Sequence, residues 1–296
     1  MRILGKNSGS LAGSKEQMMT LLKSDSYKFW LIGLTTLLVI LGLAAYRFNS
    51  NTLQKDTLTI GISPPYADLL QSVADDMKAQ GIQVKLVEFS DWHAPNVAVQ
   101  NGDIDANFFQ QSVYLKNAIR ETRFNLHAFA PGTGSHVGLY SKKYQSLEQL
   151  PVHARVVIPN DPVNSARALI LLARAGLIEV KDIQNELTTL QDIIRNPKQL
   201  QFIEVEGPQT AHAIDEADLI FGFPHYLKMA KAANPKDALF LDPIDKKYAI
   251  LFVTRTDYQD KDQKLARFVQ AFQTSEKVKT ILDQDFGQGM WFQGWK

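Results

Sequence analysis

An uninterrupted apolar stretch near the beginning of the chain constrains its structure more than any other feature. Residues 29–46 read FWLIGLTTLLVILGLAAY and contain no charged side chain. At roughly 1.5 Å per residue a helix of this length spans about 27 Å, close to the thickness of the hydrocarbon layer of a membrane. Trp30 and Tyr46 lie near its ends, where membrane helices concentrate interfacial aromatic residues. The stretch predicts a single transmembrane helix over residues 29–46.

The basic residues predict the orientation of this helix. Residues 1–28 contain five Lys or Arg residues and two acidic ones. By the positive-inside rule residues 1–28 stay in the cytoplasm, and the chain beyond the helix is exported, with residues 47–56 as a linker. The predicted location is therefore the cytoplasmic (inner) membrane, with a single span and a periplasmic C-terminal domain.

A cleaved signal peptide is the alternative to an uncleaved anchor. Small-residue cleavage sites occur at Gly42-Leu43-Ala44 and, one residue later, at Leu43-Ala44-Ala45. We favour the anchor because both the segment before the apolar run and the run itself are longer than in usual signal peptides.

The composition excludes several classes of protein. The 296 residues are 45% hydrophobic, with 32 basic and 31 acidic side chains, so the chain can build a large core and is not a disordered polyelectrolyte. Beyond residue 55 there are 25 basic and 29 acidic residues, which argues against nucleic acid as a partner. The absence of cysteine from the sequence excludes disulfides, thiolate metal ligands and a lipidated cysteine within it.

Beyond the linker, strand patterns alternate with helix patterns. Leu58–Ser63 and Arg155–Pro159 have the apolar character of buried strands, and Ala67–Gln80 and Asn164–Ala175 have one apolar helical face. Ser275 is a suitable cap for a helix over 276–286. The alternation predicts an α/β protein with parallel sheets covered by helices.

The same alternation is compatible with two lobes. We expect residues 57–139 plus 246–296 to form lobe 1 and residues 140–245 to form lobe 2. The strands predicted over Val137–Ser141 and Tyr248–Thr254 are the candidate crossings between them. A ligand would then bind in the cleft, near strand C-termini and helix N-termini.

No familiar catalytic motif occurs in the sequence. It has no G-x-S-x-G, no G-x-x-x-x-G-K-[ST] and no H-E-x-x-H. The histidines are scattered along the chain, at positions 93, 127, 136, 153, 212 and 225. We therefore predict that the protein is not an enzyme and uses neither a metal nor a cofactor.

One segment has the chemistry of an anion site. Residues 160–167, NDPVNSAR, run from a predicted strand end into a helix start. The amides of a first helical turn attract an anion, and Arg167 could hold a carboxylate through two parallel hydrogen bonds. The alternative is an ordinary capped helix, with Asn164 or Ser165 as the cap and Arg167 in a surface ion pair.

Aromatic residues are dense between positions 92 and 114. Trp92, Phe108, Phe109 and Tyr114 could line an apolar pocket for a ligand side chain, and amides lie nearby at positions 107, 110 and 111. Because adjacent residues of a strand face opposite ways, we expect at least one of Phe108 and Phe109 to belong to the core.

Several segments together resemble one family. They are EFSDW at 88–92, DIDANFFQ at 103–110, GLYSKK at 138–143, IPNDP at 158–162 followed by Asn164 and RAL at 167–169, NPKDALF at 234–240, and Trp295. In order and in content they resemble the NlpA-type methionine-binding lipoproteins over about residues 57–296.

The resemblance implies a fold and a function. The family consists of extracytoplasmic substrate-binding proteins of methionine ABC importers, with the bilobal type-II periplasmic-binding-protein fold. It implies that Arg167 holds the α-carboxylate of the ligand, with Asn164 beside it. It also implies that Trp92, Tyr114 and Phe108 or Phe109 surround the ligand side chain.

The chain departs from the family pattern at three places. Family members are usually anchored by a lipidated cysteine, for which the membrane helix would substitute here. The family commonly has His where this chain has Gln111. A glutamine can form a hydrogen bond, but unlike histidine it cannot carry a charge. The family's Asn-Gly-Asn, which helps to hold the amino-acid head group, reads Phe221-Gly222-Phe223 in this chain.

These observations lead to one principal hypothesis. The chain is expected to be a membrane-tethered solute-binding protein that delivers methionine, or a related amino acid or small carboxylate, to an ABC permease and its ATPase. The alternative, motivated by Phe221 and Phe223, is a non-transport periplasmic sensor or envelope-scaffold protein with the same fold and a changed ligand.

Overall fold

The structure, a computed structural model, describes residues 32–42 and 57–296, which fall into separate units. Residues 32–42 form a helix, α1. Among the described residues, no helix combines the length and the apolar character needed to cross a membrane. The transmembrane helix predicted over residues 29–46 extends past both ends of α1, so parts of it lie outside the described residues, as do residues 1–28 and the predicted linker.

The folded unit 57–296 alternates strands and helices along its length. The strands are β1 Leu58–Ile62, β2 Val84–Glu88, β3 Ala106–Gln111, β4 Leu126–Pro131, β5 Thr133–Ser135, β6 Gly138–Tyr140, β7 Arg155–Pro159, β8 Glu179–Val180, β9 Ile193–Arg195, β10 Gln201–Val205, β11 Leu219–Gly222, β12 Phe240–Leu241, β13 Ile250–Arg255 and β14 Trp291–Gln293. The α-helices are α2 Ala67–Ala79, α3 Ala94–Asn101, α4 Ser112–Thr122, α5 Pro162–Arg174, α6 Pro224–Met229, α7 Lys264–Thr274 and α8 Glu276–Phe286.

Two five-stranded sheets dominate this unit. The first has the order β2-β1-β3-β13-β4, and the second has the order β10-β7-β11-β6-β12. Two small sheets, β14-β5 and β8-β9, lie beside them. Each large sheet, together with the helices packed on it, is referred to below as the first or the second lobe.

Both large sheets are mixed, which corrects the prediction of parallel sheets. β1 is parallel to β2 and β3, whereas β13 is antiparallel to β3 and β4. In the second sheet β7 is parallel to β10 and β11, whereas β6 is antiparallel to β11 and β12. The antiparallel strands β13 and β6 stand next to the segments where the chain passes between the lobes, so they do not follow the βαβ pattern.

The predicted crossing strands correspond to β6 and β13, but each belongs to one sheet only. The chain passes from the first lobe to the second through the residues just before Gly138. It returns through the residues between β12 and β13, which include a short 3₁₀ turn at Lys246–Tyr248.

Local sequence accounts for the helices. In α2 the residues on one face are buried and those on the other are exposed, as the periodicity predicts. The Ser275 hydroxyl accepts a hydrogen bond from the Val278 amide and begins α8, as expected. His212–Asp215, by contrast, form only a short 3₁₀ turn.

Each lobe has its own apolar core. The core of the second lobe surrounds β7, β11 and α5, and the core of the first lobe lies between β1, β3, β13 and helices α2, α7 and α8. Helix α6 of the second lobe packs against α8 of the first lobe, so the two lobes also meet away from the connecting segments.

Candidate functional site

A cavity lies between the two lobes, with an empty volume of about 510 Å³. The side chains that line it come from the end of β3, the segments that follow β1 and β2, the first turns of α4, α5 and α6, and the segments that connect the lobes. They are Ser63, Tyr66, Trp92, Phe109, Gln110, Gln111, Tyr114, Ser135, Asn164, Arg167, Phe223, His225, Tyr226, Tyr248 and Ile250.

The strand β3 directs neighbouring aromatic residues to opposite sides. Phe109 lines the cavity, and its ring lies 5.7 Å from that of Tyr114, edge to face. Phe108 is completely buried in the core of the first lobe, with ring centroids 4.5 Å from Phe252 and 5.4 Å from Phe272. Of the two predicted aromatic residues, only Phe109 therefore faces the cavity.

The second lobe contributes the first turn of α5. The carboxylate of Asp161 caps this helix by accepting a 2.9 Å hydrogen bond from the Asn164 amide. The side-chain amide of Asn164 donates to the same carboxylate, and its oxygen accepts a 3.4 Å hydrogen bond from Gln111 Nε2 of the first lobe. Gln111 and Asn164 therefore meet across the cavity.

Arg167 lies one turn further along α5 and is nearly buried, with a side chain that is 7% exposed. Its Nε donates a 3.0 Å hydrogen bond to Asp242 Oδ2, and Arg174 donates to the other oxygen of Asp242 at 2.8 Å. The Arg167 guanidinium also stacks 3.7 Å from the ring centre of Tyr248. These contacts fix the guanidinium, and within the described part of the chain its two terminal nitrogens form no hydrogen bond, so they can bind an anion.

Trp92 links the lobes on the aromatic side of the cavity. It follows β2 in the first lobe but packs against the core of the second lobe. Its ring lies 5.5 Å from Phe223, edge to face, and its indole nitrogen donates a 3.3 Å hydrogen bond to the Tyr226 hydroxyl. The Tyr114 hydroxyl donates to the Trp92 carbonyl at 2.8 Å and holds the loop in place.

The two phenylalanines in place of the family asparagines have different surroundings. Phe221, in β11, is completely buried in the core of the second lobe and does not line the cavity. Phe223 follows the strand and lines the cavity, with 7% of its surface exposed. Phe223 is thus the one of the pair that faces the space available to a ligand.

Several lining residues were not predicted from the sequence. Tyr66 and His225 form a cross-lobe pair with ring centroids 5.3 Å apart, and Tyr248 and Ile250 come from the returning connection. Tyr226 follows His225 on α6. None belongs to a motif with a recognised chemistry, and only the fold brings them to the cavity.

Burial changes the acid–base properties of these residues. Burial lowers the pKa of His225 to about 3, so its imidazole is neutral near neutral pH. Among the described residues, the buried His225 Nδ1 atom has no hydrogen-bond partner. Burial, with a smaller contribution from nearby carboxylates led by Asp161, raises the pKa of Tyr114 and keeps its hydroxyl protonated.

Within the described residues, no cluster of three or more His, Asp and Glu side chains could hold a metal.

The NlpA lipoprotein family matches this chain over residues 58–295. The D-methionine-binding lipoprotein MetQ of Escherichia coli K12 is 35% identical over 238 residues, which cover 80% of this chain and 86% of that protein.

Solved structures of related proteins have a similar fold. The crystal structure of the methionine-binding protein MetQ matches with a TM-score of 0.75 and 33% identity, over 81% of this chain and 99% of that one. A nutrient-binding protein from Burkholderia cenocepacia bound to methionine matches with a TM-score of 0.72 and 32% identity, over 80% of this chain and 99% of that one. The fold of residues 57–296 is therefore the α/β fold of periplasmic substrate-binding proteins.

Proposed function

Because the chain belongs to the NlpA lipoprotein family, we propose that it is the extracytoplasmic solute-binding protein of an ABC importer and binds methionine between its lobes. Its relatives are methionine-binding proteins with the same fold over nearly their whole length. Its partners are then the permease of the importer and the ATPase that drives it.

The buried guanidinium of Arg167 is the observation that carries this proposal. It lines the cavity, it is held through Nε by Asp242, and it is stacked on Tyr248. A rigid guanidinium with two available nitrogens is a suitable partner for the carboxylate of an amino acid.

The remaining lining residues suggest roles for the rest of the ligand. Asn164 and Gln111, joined across the cavity, would bind the polar head group beside Arg167. Trp92, Phe109 and Tyr114 would surround the apolar side chain, and Phe223, at the position of a head-group asparagine of the family, would border the head group. Phe108 and Phe221 support the two cores and are not proposed as ligand contacts.

We further propose that the lobes, divided near residues 139 and 246, close on the ligand. The connecting segments before β6 and before β13 would act as the hinge. The closed surface would then be what the permease recognises. Small-angle scattering should show compaction when methionine is added, and an unchanged radius of gyration at saturating methionine would contradict closure.

Two arginines on α5 provide a matched test of the site. Arg167 and Arg174 both bind Asp242, but only Arg167 lines the cavity. Calorimetric titration of methionine should show that Arg167→Ala abolishes binding, whereas Arg174→Ala keeps the affinity within a fewfold of the original. Equal losses of methionine affinity in the two variants would show that Arg167 has only a structural role.

We also propose that residues 29–46 anchor the protein in the cytoplasmic membrane as a single uncleaved helix. Seven large apolar side chains of α1, from Ile32 to Leu41, are 52–62% exposed, so apolar surface covers every side of this helix. Such a surface is stable in lipid and unfavourable in water.

The absence of cysteine makes the anchor easy to test. In intact spheroplasts a membrane-impermeant maleimide should label an Asp76→Cys variant, while a Ser8→Cys variant should react only after lysis. The full chain should also stay in the membrane fraction during alkaline carbonate extraction. Release by carbonate, or a mature N-terminus near Ala44, would show that the segment is cleaved.

A further inference from the structure

The cavity contains a single permanent charge among its lining side chains. Of the fifteen lining residues, Arg167 alone carries a formal charge, and none is a carboxylate. The imidazole of His225 is neutral because burial lowers its pKa, and burial raises the pKa of the phenols of Tyr66 and Tyr114. The lining therefore offers one cation and otherwise neutral groups.

The carboxylates that border the cavity are already engaged. Asp242 is 2% exposed and binds both Arg167 and Arg174, so this cluster has a net charge of +1. Asp161 accepts three hydrogen bonds from Asn164 and does not line the cavity. The carboxylate of one ligand balances the charge of the arginine cluster. Asp161, held by the amide groups of Asn164, does not face the cavity and so does not contact an ammonium group there.

Two further carboxylates lie near Tyr114 and do not line the cavity. Asp91 accepts hydrogen bonds from the amides of His93 and Ala94, and Glu206 accepts one from Asn160. Both contribute to the raised pKa of Tyr114, on the side of the cavity assigned above to the ligand side chain. An ammonium group on the same carbon as the carboxylate would lie close to Arg167 instead.

The remaining lining atoms are apolar or neutral. Phe223 and Ile250 present only carbon, and Ser63, Gln111 and His225 present neutral hydrogen-bonding groups. Neutral acceptors serve a hydroxyl as well as an ammonium, but they do not offset the charge of an ammonium transferred from water into a buried site.

From this charge inventory we infer that the cavity favours carboxylates of methionine-like shape whose α-substituent is uncharged. The preferred class is 2-hydroxy acids, which should bind more tightly than the corresponding amino acid. The inference rests on the proposed function, because it uses the same cavity and the same contact between Arg167 and a carboxylate.

The direct test compares L-methionine with 2-hydroxy-4-(methylthio)butanoate, in which a hydroxyl replaces the ammonium. Each is titrated by calorimetry into the full chain in detergent micelles, after unfolding and refolding to remove any bound small molecule. We expect the hydroxy acid to bind about tenfold more tightly, as a difference of about 1.4 kcal/mol would give. Equal affinities would show no preference and would contradict the inference. Tighter binding of methionine would overturn it. If neither compound binds, the proposed function itself fails.

Two variants examine the cause of the preference. Phe223→Asn introduces a side-chain oxygen into the cavity and should shift the affinity ratio toward methionine by about tenfold, whereas Phe223→Leu should leave the ratio unshifted. Asp161→Asn preserves the helix cap and removes a negative charge. A selective loss of methionine binding in Asp161→Asn would show that this carboxylate balances an ammonium, and would contradict the inference.

Discussion

A single methyl group at Gly207 should prevent the lobes from closing fully. Gly207 follows β10 in the second lobe, and its backbone has a conformation that alanine adopts readily. A Cβ atom at this position would overlap the six-membered ring of Trp92, which comes from the first lobe. The three atoms nearest to such a Cβ all belong to this ring, so Gly207→Ala obstructs the contact between the lobes.

The contacts of Trp92 set the size of the effect. Displacing its ring removes the edge-to-face contact with Phe223 at 5.5 Å, which contributes about 0.5–1.5 kcal/mol. It also removes the 3.3 Å hydrogen bond to Tyr226, which contributes about 0.5–1.5 kcal/mol. The closed state should lose about 1–3 kcal/mol, which corresponds to a fall in methionine affinity of about 5- to 150-fold.

Calorimetric titration measures this loss, and a double-mutant cycle assigns it. In a Trp92→Leu background the ring is absent, so Gly207→Ala should have little further effect on affinity. The melting temperature without added ligand should change little, because open lobes avoid the overlap. An affinity unchanged by Gly207→Ala, or a loss that persists in the Trp92→Leu background, would refute this account.

Three further predictions follow from other contacts. Phe108→Ala should leave a cavity in the core and lower the free energy of unfolding by about 3–5 kcal/mol, whereas Phe109→Ala should mainly weaken methionine binding. Urea unfolding and calorimetric titration measure the two effects. The reverse pattern would contradict the assignment of the two faces of β3. Asp242→Asn leaves Arg167 buried without its ion-pair partner and should destabilise the fold by about 3–5 kcal/mol; a variant as stable as the parent would show that Asp242 does not anchor Arg167. Burial lowers the pKa of His225 from 6.5 to about 3. Between these pH values the imidazole is protonated in the unfolded chain but not in the folded one, so the free energy of unfolding should fall as the pH falls below 6.5. Replacing His225 with Phe should therefore reduce the stability lost between pH 7 and pH 5 by up to about 2 kcal/mol, and identical pH profiles of the two proteins in urea unfolding would contradict a neutral buried imidazole.

The elements were predictable from sequence where a local pattern fixes them. Arg155–Pro159 is a strand with the predicted bounds, and α8 begins at the predicted Ser275 cap, because burial periodicity and capping are local properties. The mixed direction of the sheets was not predictable in this way. The direction of β6 and β13 depends on where the chain passes between the lobes, and no local sequence pattern indicates this.

The same distinction applies to the site. Asn164 and Arg167 could be predicted because a helix start with an arginine one turn later has recognisable chemistry. His225, Tyr248 and Ile250 could not, since each is unremarkable in its own segment and reaches the cavity only through the packing of α6 and the returning connection. Phe221 was included by its place in a motif, and burial in β11 excludes it from the lining.

The central claim is that methionine binds between the lobes with its carboxylate on Arg167. A crystal structure of the chain grown with selenomethionine as ligand tests it directly, because anomalous scattering locates the selenium atom without ambiguity. We predict one strong peak beside Trp92 and Phe109, with the ligand carboxylate within hydrogen-bond distance of the terminal nitrogens of Arg167. An occupied cavity in which the carboxylate does not contact Arg167, or a selenium peak outside the cavity, would contradict the account.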